Sequence, residues 1–404
     1  MTQITDPKKC TGCQACRLVC PEQCISVVPD SEGFQAPQID GTRCTDCGSC
    51  ASLCPENKRP GPANNECIKA LGAKLKDDAA LRRSASGGVF AGLALKVLEA
   101  PGSSVFGCAF DENIVAGHIR ADDAGGIAPL QSSKYVQSDV GDTYFHAKAL
   151  LREGKTVFYS GAPCQIAGLY AYLGRDYGNL LTADLICHGV PSPLLFRRYL
   201  DWLGRKHGGR VAGYNFRSKE ESGWSLAGRA NIRAGSKTKA AAIIPQIDPY
   251  YKSFLDSCTF RECCYTCRYA GSLRAADLTL GDFWGVEALH PEFYDTRGVS
   301  ILLINTEKGE RFFSVAEDMF CVTETTFEAA ASRNRNLVGP SSRPALRDAA
   351  YERINDGGAD FFKNPAYRIK TSAYIEKKAR AGIKRLAPPL ALELYRKIRK
   401  GASQ

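Results

Sequence analysis

Apolar positions change period repeatedly along the chain, and each change predicts an element. Ile25–Val28 reads as a small strand, and Val89 to Ala100 (VFAGLALKVLEA) follows a helical spacing that stops before Pro101 and Gly102. Strands are predicted at Ser104–Phe110 and Gly117–Ala121, then a helix at about Tyr144–Glu153. Two apolar runs, Thr156–Ser160 and Leu180–Ile186, have the composition of buried parallel strands. Between and after them come an amphipathic helix (Phe196–Lys206), a strand near Asn215–Lys219 and a short apolar strand ending on Gly281-Asp-Phe-Trp-Gly285. A buried strand at Ser300–Asn305, a helix from Glu307 to Val315 and a helical last 60 residues complete the pattern. Strands alternating with helices predict an α/β core with some α+β elements.

Cysteines change that picture most, because 18 of them occur in 404 residues and they are clustered. Cys10-x-x-Cys13-x-x-Cys16-x3-Cys20-Pro21 is followed by Cys44-x-x-Cys47-x-x-Cys50-x3-Cys54-Pro55. This is the run of bacterial two-cluster ferredoxins, in which three close thiolates hold one [4Fe–4S] cube and the fourth reaches to the other. The spacing assigns Cys10, Cys13, Cys16 and Cys54 to one cluster and Cys44, Cys47, Cys50 and Cys20 to the second. Structural zinc is the alternative for any single Cys-x-x-Cys, but two intact four-cysteine runs disfavour it. Cys24 and Cys67 fall outside the spacing and are expected to pack. A disulfide scaffold does not suit so large a chain with clustered thiols, and MTQITDPKKC lacks the apolar segment of a secretory signal. A cytoplasmic protein is expected. No apolar run approaches the roughly 18 residues that span a bilayer.

The stretch from Arg261 to Gly285, RECCYTCRYAGSLRAADLTLGDFWG, combines Cys264-x-x-Cys267 with a strand that breaks on two glycines and an indole. Paired thiols grip a metal centre, and a glycine-rich turn lets backbone lie against a flat ligand, so an iron–sulfur cluster beside a flavin is expected here. The predicted strands at 156–160 and 180–186 each release a cysteine into a Gly/Pro turn, at Gly161-Ala-Pro-Cys164-Gln165 and Cys187-His188-Gly189. Ser84-Ala-Ser-Gly-Gly88 opens a helix and could meet a phosphate or simply cap it; without GxGxxG a Rossmann site is disfavoured. Lys134-Tyr-Val-Gln-Ser138 offers charge and hydrogen bonds, and Arg217 with Lys219 could hold an anion or form a solvated edge.

Charge is uneven. From Phe361 to Gln404 twelve Lys or Arg face two Glu, an excess of ten that equals the whole net charge of +10. That tail reads as a solvated helical face or as a docking surface for an acidic partner or an anionic membrane. The even basic stripes of a nucleic-acid binder are missing.

With these motifs in hand, the region from about Ser84 to Pro340 resembles the beta-subunit family of coenzyme F420 hydrogenases and dehydrogenases. The resemblance rests on Ser86-Gly-Gly88, Lys134-Tyr-Val-Gln-Ser138, Gly161-Ala-Pro-Cys-Gln165, Asp184-Leu-Ile-Cys-His-Gly189, Cys264-Tyr-Thr-Cys267 and Asp277–Gly285. It implies an α/β flavoprotein core holding FAD and a third [4Fe–4S] cluster on Cys164, Cys187, Cys264 and Cys267, with Cys263 an alternative to Cys264. It implies FAD contacts at Ser86, Gly87, Gly88, Lys134, Tyr135, Gln137, Ser138, Gly161, Pro163, Gln165, Gly281, Asp282, Phe283 and Trp284, with Arg217 beside them.

The domains expected are a ferredoxin domain (1–60), a linker (61–83), an FAD- and cluster-binding oxidoreductase domain (84–340) and a helical basic segment (341–404). Electrons would run from reduced ferredoxin or a deazaflavin coenzyme such as F420 through three clusters to FAD and on to a small-molecule substrate by hydride transfer. His188 is the candidate proton donor, a hydrogen bond within its loop being the plainer role. The competing reading is an electron-transfer subunit without its own organic substrate. Self-association into a homo-oligomer is also expected; nucleic acid is not.

Overall fold

The computed structural model describes residues 3–58, 66–220, 222–356, 359–367 and 372–373. Most of the basic tail, from 374 on, lies outside the described residues. No helix among the described residues is long and apolar enough to cross a membrane.

The N-terminal unit is small. Helix α1 (Ala15–Val19) and helix α2 (Ser49–Leu53) flank an antiparallel hairpin of β1 (Ile25–Pro29) and β2 (Gln35–Ile39). Its interior is largely sulfur: Cys16, Cys20, Cys24, Cys44, Cys50 and Cys54 pack together with Ile4, Ile25 and Ile39.

An eight-stranded mixed sheet forms the body of the molecule. In chain order its strands are β3 (Lys69–Leu75), β4 (Ser104–Phe110), β5 (Ala116–Ala121), β6 (Val157–Gly161) and β7 (Leu180–Leu185). A separate three-stranded antiparallel sheet follows, made of β8 (Arg210–Asn215), β9 (Gly228–Ala234) and β10 (Lys237–Ile243). The large sheet is completed by β11 (Leu278–Asp282), β12 (Ser300–Ile304) and β13 (Phe320–Thr325), in the order β13-β3-β12-β11-β7-β6-β4-β5. At its centre β4, β6, β7 and β11 are parallel neighbours. Their apolar runs are buried on both faces, as parallel strands require. Helix α3 (Asp78–Arg83) and helix α4 (Val89–Leu98) follow β3, and helix α5 (Thr143–Arg152) precedes β6. Helix α6 (Pro163–Leu173) crosses from β6 to β7, and helix α7 (Pro193–Lys206) leads from β7 to the small sheet. Pro163 and Pro193 occupy first-turn positions, where a missing N–H is harmless.

Within the 61–83 stretch expected as a linker, the described residues form a strand, Lys69–Leu75, and a helix, Asp78–Arg83. Lys69–Leu75 buries Ala70, Leu71, Ala73 and Leu75 and pairs with both β12 and β13. Pro60 and Pro62, which suggested a linker, lie outside the described residues, and the strand begins only after them. The strand expected near Asn215–Lys219 runs earlier, and Phe216–Lys219 leaves the small sheet. The start of the 341–404 segment is held: Ala350, Tyr351 and Ile354 of the helix Arg347–Asn355 are buried in the same cluster as Phe34, Phe196 and Tyr250.

Polar contacts fasten the N-terminal unit to the sheet domain. Gln14 Nε2 donates to Asp139 Oδ1 at 2.7 Å, and Arg17 Nη2 donates to Gly141 O at 2.7 Å and to Asp142 Oδ1 at 2.8 Å. Arg261 Nε donates to Cys10 O at 2.7 Å and its Nη1 to Gln35 O at 2.9 Å. Arg347 pairs with Glu32.

Beneath the central strands Arg274, 1% exposed, donates to Asp184 Oδ1 at 2.8 Å, while Thr279 Oγ1 donates to the same oxygen at 2.7 Å. Removing one partner of a fully buried pair strands the other charge. Arg274→Met is therefore expected to lose about 3–5 kcal/mol, seen as a lower Tm or loss of folded protein. Adding Asp184→Leu should recover much of it. Equal melting of Arg274→Met and the parent would overturn this assignment.

Candidate functional site

Parallel strands leave loops at their C-terminal ends, and such edges are the usual place for a ligand. Here β6 ends at Gly161 and hands the chain to Ala162 and the first turn of α6, which carries Cys164; Ala162 N donates to Gln165 Oε1 at 2.9 Å. Strand β7 ends at Leu185, and Ile186 N still reaches Leu280 O across to β11 before Cys187 leaves the sheet. Cys263, Cys264 and Cys267 sit on a short 3-10 turn, Glu262–Thr266, and just after it. These five cysteines line one cavity of about 260 Å³. Burial, then the neighbouring thiols, pushes Cys187 and Cys267 up to about 12. Holding such thiols as thiolates calls for a strong local cation, the charge that bound iron would supply.

The two expected N-terminal ligand sets are separately grouped. Cys10, Cys13, Cys16 and Cys54 line one small cavity, and Cys20, Cys44, Cys47 and Cys50 line another together with Cys24. Cys24 Sγ lies 3.4 Å from Cys20 Sγ, a proximity that spacing alone did not foretell. Among the described residues no three His, Cys, Asp or Glu side chains converge as a single metal ion needs. The thiols stand around the walls of three cavities. Cys258 belongs to the aromatic cluster beside α7, and Cys67 packs near Phe327.

A second cavity, about 290 Å³, adjoins the first and shares Thr11, Cys164, Cys187 and His188 with it. Thr11 also lines the cavity of the Cys10 set, so three sites meet at one residue. Of the expected cofactor contacts, Ser86, Gly88, Lys134, Tyr135, Gln137, Ser138, Gly161, Gln165, Gly281, Asp282 and Trp284 line this second cavity. Its apolar lining (Phe90, Leu130, Phe254, Leu280) and converging polar groups suit a flat, partly polar ligand.

Four expected contacts do not line it. Arg217 is 2% exposed and is consumed by a bidentate pair with Asp282, at 2.7 and 2.9 Å. It also donates to Ala85 O at 3.1 Å and Tyr135 Oη at 3.1 Å, so it positions the wall from behind. Gly87 is pressed against the sheet, where an added Cβ would lie 2.1 Å from Ala73 O. Phe283 is fully buried with Val299 and Ile301 on the far side of its strand, and Pro163 faces the cysteine cavity. Gly281 lines the cavity beside Ile186, whose Cδ1 would lie 2.5 Å from a Cβ added at 281.

Electrostatics divide the wall. Burial opposes the Asp282 carboxylate, but Arg217's charge and the hydrogen bonds from Arg217 and Trp224 outweigh it and hold the pKa below the usual carboxylate range. Trp224 donates to Asp282 Oδ1 at 2.7 Å and stacks on Trp284, with centroids 4.9 Å apart. Burial pushes Lys134 down to about 8; its ammonium donates to the carbonyls of Pro129, Leu130, Gln131 and Ser132 and remains charged at neutral pH. Burial also lowers His188, although Asp282 pulls the other way. Its carbonyl accepts from Ser341 Oγ at 2.6 Å, while the side chain borders both cavities. Lys219 is turned away, donating to Leu81 O and Ser86 O at 2.7 and 2.8 Å.

Sequence reasoning missed His118 and Cys108, which reach the second cavity from β5 and β4. Gln165 Nε2 donates to Ser138 Oγ at 3.0 Å, and His118 lies between Ser138 Oγ (3.4 Å) and Ser160 O (3.1 Å). A polar residue inside an alternating strand was the one available signal.

The close approach of the N-terminal unit depends on Gly168 in α6. A Cβ there would stand 2.8 Å from Cys13 Cβ and 3.1 Å from Tyr144 Oη, whereas Gly178 has nothing within 4 Å. Gly168→Val is expected to displace Cys13 and lose about four irons, one cube's worth, in anaerobic metal analysis, with Gly178→Val unchanged. Full iron in both variants would refute the contact.

With this geometry described, residues 154–329 match the family model for the C-terminal region of the coenzyme F420 hydrogenase/dehydrogenase beta subunit. Residues 9–58 match the 4Fe-4S dicluster domain. Among solved structures, a xenon-derivatized F420-reducing [NiFe] hydrogenase complex from Methanosarcina barkeri contains a chain 18% identical to this one. The match covers 75% of this chain and 92% of that one, with a TM-score of 0.43. No curated protein matches the chain. The chain thus joins an N-terminal unit that matches the 4Fe-4S dicluster domain to a region that matches the C-terminal part of the coenzyme F420 hydrogenase/dehydrogenase beta subunit.

Proposed function

We propose that this protein is an iron–sulfur flavoprotein oxidoreductase that links ferredoxin or a deazaflavin coenzyme to reduction of a small-molecule substrate. The observation that carries the reading is the shared wall: a five-cysteine cavity touches the Cys10-set cavity through Thr11 and the larger cavity through Cys164, Cys187 and His188. Three thiol sets would hold [4Fe–4S] clusters: Cys10, Cys13, Cys16 and Cys54; Cys44, Cys47, Cys50 and Cys20; Cys164, Cys187, Cys264 and Cys267. FAD would occupy the larger cavity. Clusters exchange single electrons and a flavin collects two for delivery as hydride.

The chain's own residues prepare that site. Arg217 and Trp224 fix the Asp282 carboxylate, Lys134 contributes a held positive charge, and the Gln165–Ser138–His118 chain orients polar groups on the wall. His188 lies where it could serve either cavity, as a proton carrier or as a loop anchor.

A second reading, an electron-transfer subunit without an organic substrate, is favoured by Leu185, which lines the larger cavity yet is 46% exposed. Anaerobically purified protein is expected to hold about 12 irons and one flavin, and Cys187→Ser about 8. Reduced ferredoxin should bleach the parent flavin quickly and the Cys187→Ser flavin at least a hundredfold more slowly. Eight irons in the parent, or equal bleaching rates, would defeat the proposal. Coenzyme reduction only in the presence of another subunit would select the second reading.

A further inference from the structure

Four arginines are almost completely buried: Arg217 at 2%, Arg274 at 1%, Arg347 at 3% and Arg261 at 5% exposure. Burying a guanidinium without a counter-charge is unfavourable. Three obey that rule, pairing with Asp282, Asp184 and Glu32. Arg261 forms no ion pair among the described residues. It donates to two carbonyls, Cys10 O and Gln35 O, and its guanidinium lies 5.3 Å from the Phe34 ring centroid. Asp30 is the carboxylate whose charge acts on it, but Asp30 Oδ1 is engaged by the backbone N–H groups of Glu32 and Phe34.

Its position is equally specific. Arg261 precedes the 3-10 turn that carries Cys263 and Cys264, and Cys264 N donates to Arg261 O at 2.9 Å. The side chain meanwhile reaches across to the loop of Cys10. One residue thus hydrogen-bonds the backbone of both thiol sets, through its carbonyl to Cys264 and its guanidinium to Cys10, and the charges of Cys10, Cys263 and Cys264 act on that guanidinium.

We propose that Arg261 is the shared counter-charge of the Cys10 and Cys164 thiol sets, a positioning residue that eases one-electron reduction of both groups bound there. The proposal rests on the cluster assignment above. A one-electron reduction adds a negative charge to each thiolate-bound centre, and a fixed cation nearby stabilises the reduced form over the oxidised one. The outer Cys44 set has Arg43 beside it, donating to Glu22 O at 2.7 Å, but that side chain is exposed and water and salt screen its charge.

The test uses full-length protein loaded anaerobically, with midpoint potentials read by EPR redox titration. Arg261→Gln should lower the reduced-to-oxidised ratio of the two inner signals about tenfold at fixed potential, about 59 mV for a one-electron couple, and leave the outer signal unmoved. Arg261→Lys, which keeps the charge but not the paired hydrogen bonds, should shift them less than half as far. Unmoved inner signals in Arg261→Gln, or equal shifts in both variants, would overturn the proposal.

If Arg261→Gln does not retain iron, Gln137→Glu decides. A Cβ on Gly12 would lie 3.0 Å from Arg261 Nη1 and 2.5 Å from Gln137 Nε2, so both atoms border the same point and a carboxylate at 137 would offset part of the same positive charge. It should shift the same two signals in the same direction; no shift overturns the proposal. An eight-iron parent would fail the third-cluster assignment separately, and the Cys10-set signal alone would then test Arg261.

Discussion

Everything in this molecule converges on one buried edge, where parallel strands β6, β7 and β11 end beside the first loop of the dicluster domain. A parallel sheet delivers several loops to one side at fixed spacing, which is how thiols far apart in sequence come to line one cavity. That convergence requires the dicluster domain to be seated closely, and the seating is polar as well as steric. Gln14, Arg17 and Arg261 grip backbone and side chains across the boundary, and Gly168 removes the bulk that would hold Cys13 away. The dicluster domain is therefore built into the fold instead of hanging from a tether.

Much of this was legible because it is local. A four-cysteine run encodes its own turn, so spacing alone sorts Cys10, Cys13, Cys16 and Cys54 from Cys44, Cys47, Cys50 and Cys20, and these thiols line two separate cavities, the second with Cys24 added. Strands β6 and β7 were legible from their apolar runs, and their adjacency follows from the short crossover. What could not be read is what depends on partners distant in sequence. Arg217 looks the same on paper whether it faces a ligand or Asp282, 65 residues away; only the fold assigns it to the carboxylate. Gly87 suggested room for a ligand, yet it makes room for neighbouring protein. Strand β3 was hidden behind prolines and polar residues that precede it.

The buried arginines show how the fold handles charge near a redox site. A carboxylate partner makes an arginine electrically quiet, able to brace a loop without altering the potential around it. Arg217 and Arg274 brace the wall and floor of the cavities in that way. Lys134 is neutralised less completely, since carbonyl dipoles solvate an ammonium without cancelling its charge. The larger cavity is thus lined both by a buried ammonium and by a pinned carboxylate.

A cavity lined by both groups suits a ligand that carries charge as well as hydrogen-bonding atoms. Cys164 and Cys187 enter the cavity wall beside His188, where it is shared with the five-cysteine cavity, whereas Cys108 enters it from β4. Orientation here is set by charge that the protein fixes before anything binds, and that preorganisation is what a site moving electrons over short distances needs.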